Sequence, residues 1–393
     1  MRLLILNQFF WPDAAPTGEL AGDLARELVA RGHTVTVLCG RNEYYQGRPG
    51  EPAPPVDIVR IANTRFSRRT AGRLLSWSSF LAFAAWKSTR LPPADLVLAM
   101  TTPPGLSLIG VLLKRLRGAK LWTWEMDLYP DVAAATGALR ASSAVYRSAG
   151  AIMNWARRQA DGILVLGECM KARLLGCGLP AEKVCVAENW ADGTTIQPVP
   201  FPPTPPLMVL YSGNLGLAHD VDTVSQVMRE LRDDGRFRFS FAGGGALRGA
   251  LEDYCHTNQL SSVEFRPYCE RNQLPQSLGS CHVGLVTLNP TCLGTVVPSK
   301  VYTLMAAGRP ILFIGPPEST AARLIDRYSC GWQVQPGDVA GTVSLLRSLA
   351  QAPDVIQEAG ARARAAFVTH YDLPHGVARI AAFLEAPSGA PVP

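Results

Sequence analysis

Apolar positions along the 393-residue chain fall into short β-type runs separated by stretches with helical spacing. Leu3–Phe9 and Thr34–Leu38 read as strands. Between them Leu20, Leu24 and Leu28 recur every four residues, with Thr17 as the candidate cap and Gly32 as the stop. Strand, crossover helix and strand in so short a span make a βαβ unit, which demands parallel pairing. Further strands are expected at Leu96–Met100, Leu121–Trp124 and Gly162–Val165, with helices over Leu106–Arg117 and Ala141–Gln159. The pattern then restarts. Strands are expected at Met208–Ser212, Phe237–Ala242, Val263–Arg266, Val283–Leu288 and Ile311–Gly315, and helices at Val221–Leu231 and Leu247–Thr257. The predicted fold class is therefore α/β, with two Rossmann-like, doubly wound parallel-sheet domains over 1–195 and 207–372. Gly193–Pro206 holds six prolines and no charge, so 196–206 reads as a stiff, extended linker. A last helix, Val377–Leu384 within the segment 373–393, is placed to return to the first domain.

With 47% hydrophobic and 18% charged residues the chain is not a disordered one. Nine scattered cysteines, with no CxxC pair and no zinc spacing, read as the reduced thiols of a cytosolic protein. MRLLILNQFF reads as a first strand and not as a signal peptide, and no apolar run reaches the ~18 residues of a membrane span. Charge is unevenly placed. Met1–Thr195 carries 23 basic and 16 acidic residues, and the remainder 15 and 16, so the excess of +6 belongs to the first half.

Ile58–Ala94 contains seven basic residues and no acidic one. Within it Arg65–Leu91 places Arg65, Arg68, Arg69 and Arg73 ahead of an apolar run that includes Trp77 and Trp86. That composition suits a helix lying at the headgroup level of an anionic membrane, and equally a core helix with a solvated basic turn.

Candidate chemistry concentrates around Gly294–Pro310, GTVVPSKVYTLMAAGRP. Pro298 marks a helix entry, Ser299 is the candidate cap, Gly308 the left-handed stop, and Pro310 prevents continuation. Lys300 is the only lysine after Lys183. A cation in a first helical turn is disfavoured unless an anion joins it, so Lys300 and the free backbone N–H groups of the helix start are read as phosphate ligands, the alternative being a solvated surface lysine. Three post-strand loops add candidates. YSGNLGLAHDVD offers Gly213, Asn214 and His219 to a diphosphate or serves as a plain βα turn. AGGGAL offers the backbone at Gly244, and EFRPYCER offers Arg266 and Tyr268 to a base. Asp220 and Asp222 form a DxD pattern at a helix start, where acids usually serve the dipole, so no metal site is predicted. In the first domain Glu125, Asp127 and Asp131 of WTWEMDLYPD stand just past a strand end. There a carboxylate could orient or deprotonate an acceptor hydroxyl, or simply cap a turn.

Taken in order, NQFFWPD, ARELVARGHTVTVL, WEMDLYPD, ADGILVLGECMKARLLGCGLPAEKVCVAENWADG, VLYSGNLGLAHDVDT, FAGGGALRGALE and VPSKVYTLMAAGRPILFIG resemble the family-4 retaining glycosyltransferases of GT-B fold. Within that family the chain is similar to bacterial polysaccharide enzymes of the colanic-acid and O-antigen type. The resemblance implies two domains facing across a cleft, a nucleotide sugar (UDP-linked) on the second, and a lipid-linked glycan acceptor on the first. It also implies front-face transfer with retention, the departing diphosphate taking the acceptor proton, and no cofactor or metal. Acceptor and membrane candidates are Thr17, Gly18, Arg68, Arg69, Arg73, Trp77 and Trp86. Catalytic candidates are Asp127, Glu125 and His219. The family's Arg and Lys for the diphosphate correspond to Asn214 and His219, and its paired glutamates to Thr295 and Thr303. Ser299, Lys300 and the backbone of Val296 and Val297 are then expected to share the phosphate load. Hexosyl or N-acetylhexosaminyl transfer by a cytoplasmic protein at the inner membrane face is the implied activity. A silent nucleotide-sugar-binding module and a nucleotide-sugar 2-epimerase are the alternatives; nucleic-acid binding is not expected, and oligomeric state is left open.

Overall fold

A computed structural model of the chain describes residues 1–13, 15–41, 52–64 and 70–386. Arg65, Arg68 and Arg69 of the basic segment lie outside the described residues. The chain divides into two units, one comprising Met1–Ala187 with the chain from Val377, the other Glu188–Gly376.

The first unit is built on seven strands: β1 (Arg2–Leu6), β2 (Thr34–Gly40), β3 (Asp57–Ile61), β4 (Leu96–Met100), β5 (Lys120–Glu125), β6 (Gly162–Val165) and β7 (Val184–Val186). They form one sheet in the order β3-β2-β1-β4-β5-β6-β7, every pair parallel. Nearly every residue of β1, β4 and β6 is buried, as expected of strands covered on both faces. The first helix is Pro16–Ala30, with Leu24 and Leu28 in its buried stripe. It starts one residue before the expected cap: proline occupies the first turn, Ala15 is the cap position, and Thr17 accepts from Asn7 instead at 3.3 Å. Gly18 is buried, and a Cβ there would stand 3.0 Å from the Phe9 carbonyl oxygen, so it is a close-packing glycine. From Val377 the last helix, Leu373–Glu385, belongs to this unit; Glu385 meets Arg31 at 3.1 Å and His33 at 2.7 Å.

In the second unit the strands are β8 (Leu207–Ser212), β9 (Phe237–Ala242), β10 (Val263–Arg266), β11 (Val283–Thr287), β12 (Ile311–Ile314) and β13 (Gly331–Val334). Their order is β10-β9-β8-β11-β12-β13, again all parallel. Both sheets thus have the doubly wound order, with the strand sequence reversing between β1 and β4 and between β8 and β11. Ligands of such sheets bind outside the carboxyl ends of the strands at that reversal.

The proline-rich stretch differs from the expected spacer. The second unit begins at Glu188, upstream of it, and the prolines are docked on that unit. Arg309, 1% exposed, donates to the carbonyls of Val199 (2.8 Å), Pro200 (3.1 Å) and Gly279 (3.0 Å), and its guanidinium stacks 4.0 Å from the Phe201 ring. Proline carbonyls are strong acceptors with no N–H of their own to satisfy. A buried cation surrounded by carbonyls is the complement of such a segment.

Candidate functional site

At the reversal point of the second sheet, the loops after β8 and β11 meet the helix Lys300–Ala306. The loop after β8 is cross-tied to the loop after β9. Gly213 N–H donates to Ala242 O (2.8 Å), Leu215 N–H to Gly244 O (2.6 Å) and Leu247 N–H to Leu215 O (3.0 Å). Gly213 and Gly243 both have positive φ, and a Cβ on Gly243 would collide with the Gly213 carbonyl. Gly213 must also be glycine for a second reason: a Cβ there would lie 2.9 Å from Lys300 Cε. The expected role of these glycines changes accordingly. The N–H groups of Gly213 and Leu215 are spent on holding two loops together, and the lack of side chains makes room for Lys300.

Lys300 is the centre of the constellation. Its Nζ lies 3.3 Å from Asn214 O, 3.3 Å from His219 Nε2 and 4.9 Å from the centroid of the Tyr211 ring. Tyr211, at the end of β8, is buried and donates its hydroxyl to the same Asn214 carbonyl at 2.7 Å. No carboxylate among the described residues pairs with the ammonium. Burial lowers its pKa from 10.5 to about 8, since the charged form is the one that loses solvation.

His219 is the third wall. Its Nδ1 stands 2.8 Å from Thr287 O at the end of β11, and a carbonyl can only accept, so Nδ1 carries the hydrogen. Nε2 is then a lone pair, and Lys300 Nζ donates to it. The ring also meets Tyr211 edge-on at 5.5 Å. Burial, and then the Lys300 charge, push the imidazole down to about 3, so it is neutral at physiological pH. The expectation of a proton-donating or catalytic His219 is corrected by this geometry: both ring nitrogens are occupied, and His219 supports Lys300.

Ser299 is exposed and makes no side-chain cap; its own backbone is already helical, so the expected capping geometry is absent. Gly308 does end this helix with positive φ. Val297 is buried. Thr303 donates to the Lys300 carbonyl at 2.9 Å, and buried Thr295 donates to Cys292 O at 2.9 Å, so both hydroxyls close on their own backbone. Asp220 accepts from the Thr223 amide (3.1 Å) and hydroxyl (2.6 Å), which makes it a helix-start acid. Next to this centre Tyr268, 45% exposed, lies over Gly243 and Gly244. Arg266 is committed to an ion pair with Glu264.

In the first unit the three carboxylates after β5 separate by environment. Glu125, 3% exposed, is held by Arg157 through two bonds, Nε–H to Oε1 at 3.2 Å and Nη2–H to Oε2 at 2.9 Å. This buried, bidentate pair is structural and corrects the catalytic expectation for Glu125. Asp131 accepts from Arg173 (2.7 Å) and from the Tyr146 hydroxyl (3.1 Å). Asp127 is different. No described residue donates to its carboxylate, and burial, followed by the Glu125 charge, raises its pKa to about 6. Its backbone, and that of Met126, take the Thr101 hydroxyl as acceptor at 3.4 and 3.2 Å, which ties this loop to the end of β4.

The helix Thr70–Ser88 carries the remaining candidates. Trp77 is half-buried, edge-on to Tyr129 at 6.0 Å with Arg73 5.3 Å above it, so it faces the protein and not a membrane. Trp86 is 54% exposed.

Two all-parallel doubly wound sheets, each with its candidate residues at the carboxyl ends of the strands, are the architecture of the GT-B fold. Residues 17–190 match the glycosyl transferase 4-like domain family. It is 28% identical over 374 residues to a Pseudomonas aeruginosa protein described as a probable glycosyltransferase WbjE, covering 89% of this chain and 90% of that one. It is 25% identical over 341 residues to a protein of Escherichia coli K12 described as a putative colanic acid biosynthesis glycosyl transferase WcaI, covering 78% of this chain and 82% of that one. Among solved structures, Anabaena Alr3699/HepE in complex with UDP and glucose superposes with a TM-score of 0.74 at 13% identity, over 98% of this chain and 99% of that one.

Proposed function

We propose that the second unit binds a nucleotide sugar, UDP-linked, with the diphosphate on Lys300, and that the chain transfers its hexose or N-acetylhexosamine with retention of configuration. The acceptor is a lipid-linked or polysaccharide precursor, met by a cytoplasmic protein held peripherally at the inner face of the plasma membrane. The observation that carries this reading is the Lys300 ammonium. It is half-buried at the reversal point of a doubly wound sheet, walled by Tyr211, His219 and the Asn214 carbonyl, with no described carboxylate beside it. A diphosphate supplies the missing charge, and stabilising that charge as the sugar departs is the main catalytic need of the reaction. No metal ion is required, because the lysine does this work in its place. UDP in a solved structure of the same fold supports the choice of nucleotide.

Asp127 is the residue proposed to orient the acceptor hydroxyl, the one carboxylate of its loop without a cation or hydroxyl partner among the described residues. Tyr268, lying over the loop after β9, is proposed to meet the base. Thr295 and Thr303 favour a second reading, a nucleotide-sugar-binding module without turnover, since each hydroxyl spends its one hydrogen on its own backbone and neither is a carboxylate. The deciding experiment is incubation of the purified chain with a panel of nucleotide sugars and a polyprenyl-diphosphate sugar, scoring released nucleoside diphosphate and glycosylated lipid. Transfer that is lost in Lys300→Ala supports the enzyme. Binding of a nucleotide sugar without release supports the module, and no binding at all overturns both.

A further inference from the structure

The helix Thr70–Ser88 is built inside out. Its buried stripe is Ser76, Phe80, Ala84 and Ser88, two of them serines at 0% and 1% exposure. Four of its seven large apolar residues point the other way: Leu74, Leu75, Phe83 and Trp86 are all about half exposed. A helix that only completes a core puts its large apolar side chains inward.

Two neighbours share the feature. The helix Leu106–Arg117 packs against Thr70–Ser88 on one side and against Ala144–Gln159 on the other, so the three form one layer. Leu116 is 62% exposed on the first of these, and Val145, Ile152 and Trp155 are exposed on the second. Nine of the fifteen exposed large apolar residues among those described stand on these three helices, against four in the whole second unit, so the cluster is not ordinary scatter.

Charge identifies the partner. The three helices contain eight Lys or Arg and no Asp or Glu; Arg157 pairs with Glu125 and Lys114 with Asp161, and Arg117 and Arg158 donate to backbone carbonyls, which leaves Arg73, Lys87, Arg115 and Arg147 with no carboxylate or carbonyl partner among the described residues. Arg90 lies 4.3 Å above the exposed Trp86 ring, and Arg115 lies 5.1 Å above Trp155. A second copy of the chain would set three helices that carry basic residues and no acidic one against themselves, which repels. An RNA would leave the leucines wet. Aliphatic side chains, tryptophans and arginines on one surface match a single environment, the boundary between acyl chains and anionic headgroups.

We propose that the outer face of these three helices is a docking surface for an anionic lipid bilayer, with Leu116, Ile152 and Trp155 contributing as well as Thr70–Ser88. This deepens the peripheral-membrane part of the proposed function and does not depend on its chemistry. The test is flotation of the full chain with phosphatidylcholine vesicles with and without phosphatidylglycerol, at low and high salt. Binding to the anionic vesicles alone, weakened by salt, is expected. The double variant Leu116→Glu, Ile152→Glu leaves Thr70–Ser88 untouched and replaces only exposed side chains. It should bind at least ~10-fold more weakly with an unchanged melting temperature. Equal binding by that variant overturns the three-helix surface. Absence of vesicle binding by the parent chain, or a solution dimer that the double variant splits, overturns the lipid assignment. Lys300→Ala should float like the parent, so failure of the donor site and failure of the docking surface read out separately.

Discussion

Replacing Lys300 by methionine should stabilise the empty protein while it disables donor binding. The side chain keeps its length and loses its charge. In the folded chain burial brings the ammonium from 10.5 down to about 8, and each pH unit of such a change is ~1.4 kcal/mol, so the buried charge costs roughly 3 kcal/mol at neutral pH. The Tyr211 ring under Nζ returns ~0.5–2 kcal/mol of that, which leaves a net gain of ~1–3 kcal/mol for the variant. For a unit the size of Glu188–Gly376 this raises the melting temperature by roughly 2–10 °C. The sign with pH follows from the same two values. Folding disfavours the charged form, so the cost is full below about 8, shrinks above it, and is gone above 10.5, where the unfolded lysine is also neutral. The gap between parent and variant should therefore close on the alkaline side. Thermal unfolding of both proteins at pH 7 and pH 10, with and without UDP, reads all of this at once. A variant that melts below the parent at pH 7, or that UDP stabilises as much as it does the parent, would refute the reasoning.

Three further outcomes are expected. His219→Ala removes one wall around Lys300, so the donor KM should rise ~10-fold with a smaller change in kcat; a large loss of kcat at constant KM would instead make His219 a proton carrier. Asp127→Asn should lower kcat by ~100-fold or more and leave the donor KM alone. In the parent, kcat should fall as pH drops through about 6, where Asp127 takes up a proton, and the variant should lack that limb. Glu125→Gln strands Arg157 in the core without its counter-charge, a loss of ~3–5 kcal/mol, seen as a lower melting temperature while the donor KM of the folded protein stays the same.

Much of the fold could be read from local pattern. Leu96–Met100, Gly162–Val165, Phe237–Ala242 and Val263–Arg266 are strands with the expected bounds, and Leu106–Arg117 is a helix with the expected bounds, because period and turn residues agree there. The strands β3, β7 and β13 lie at sheet edges; β3 and β13 bury one residue each, so no continuous apolar run marks them, and β7 has three residues. The site divides in the same way. Lys300 stood out as an isolated cation at a helix start, but its walls come from residues some 80 or more positions earlier, which no local rule connects. Glu125 looked like an active-site acid until Arg157, on the helix Ala144–Gln159, took both its oxygens. The prolines looked like a spacer because the cation that docks them, Arg309, lies about 110 residues downstream.

The most direct test is calorimetric titration of UDP into the parent chain and into Lys300→Ala at neutral pH in the presence of a chelator. Saturable one-site binding by the parent is expected despite the chelator, weakened at least ~10-fold in the variant, since a charge-assisted phosphate contact contributes ~1.5–3 kcal/mol. Equal affinity in the two proteins, or binding that appears only when a divalent ion is restored, would contradict a diphosphate seated on that lysine.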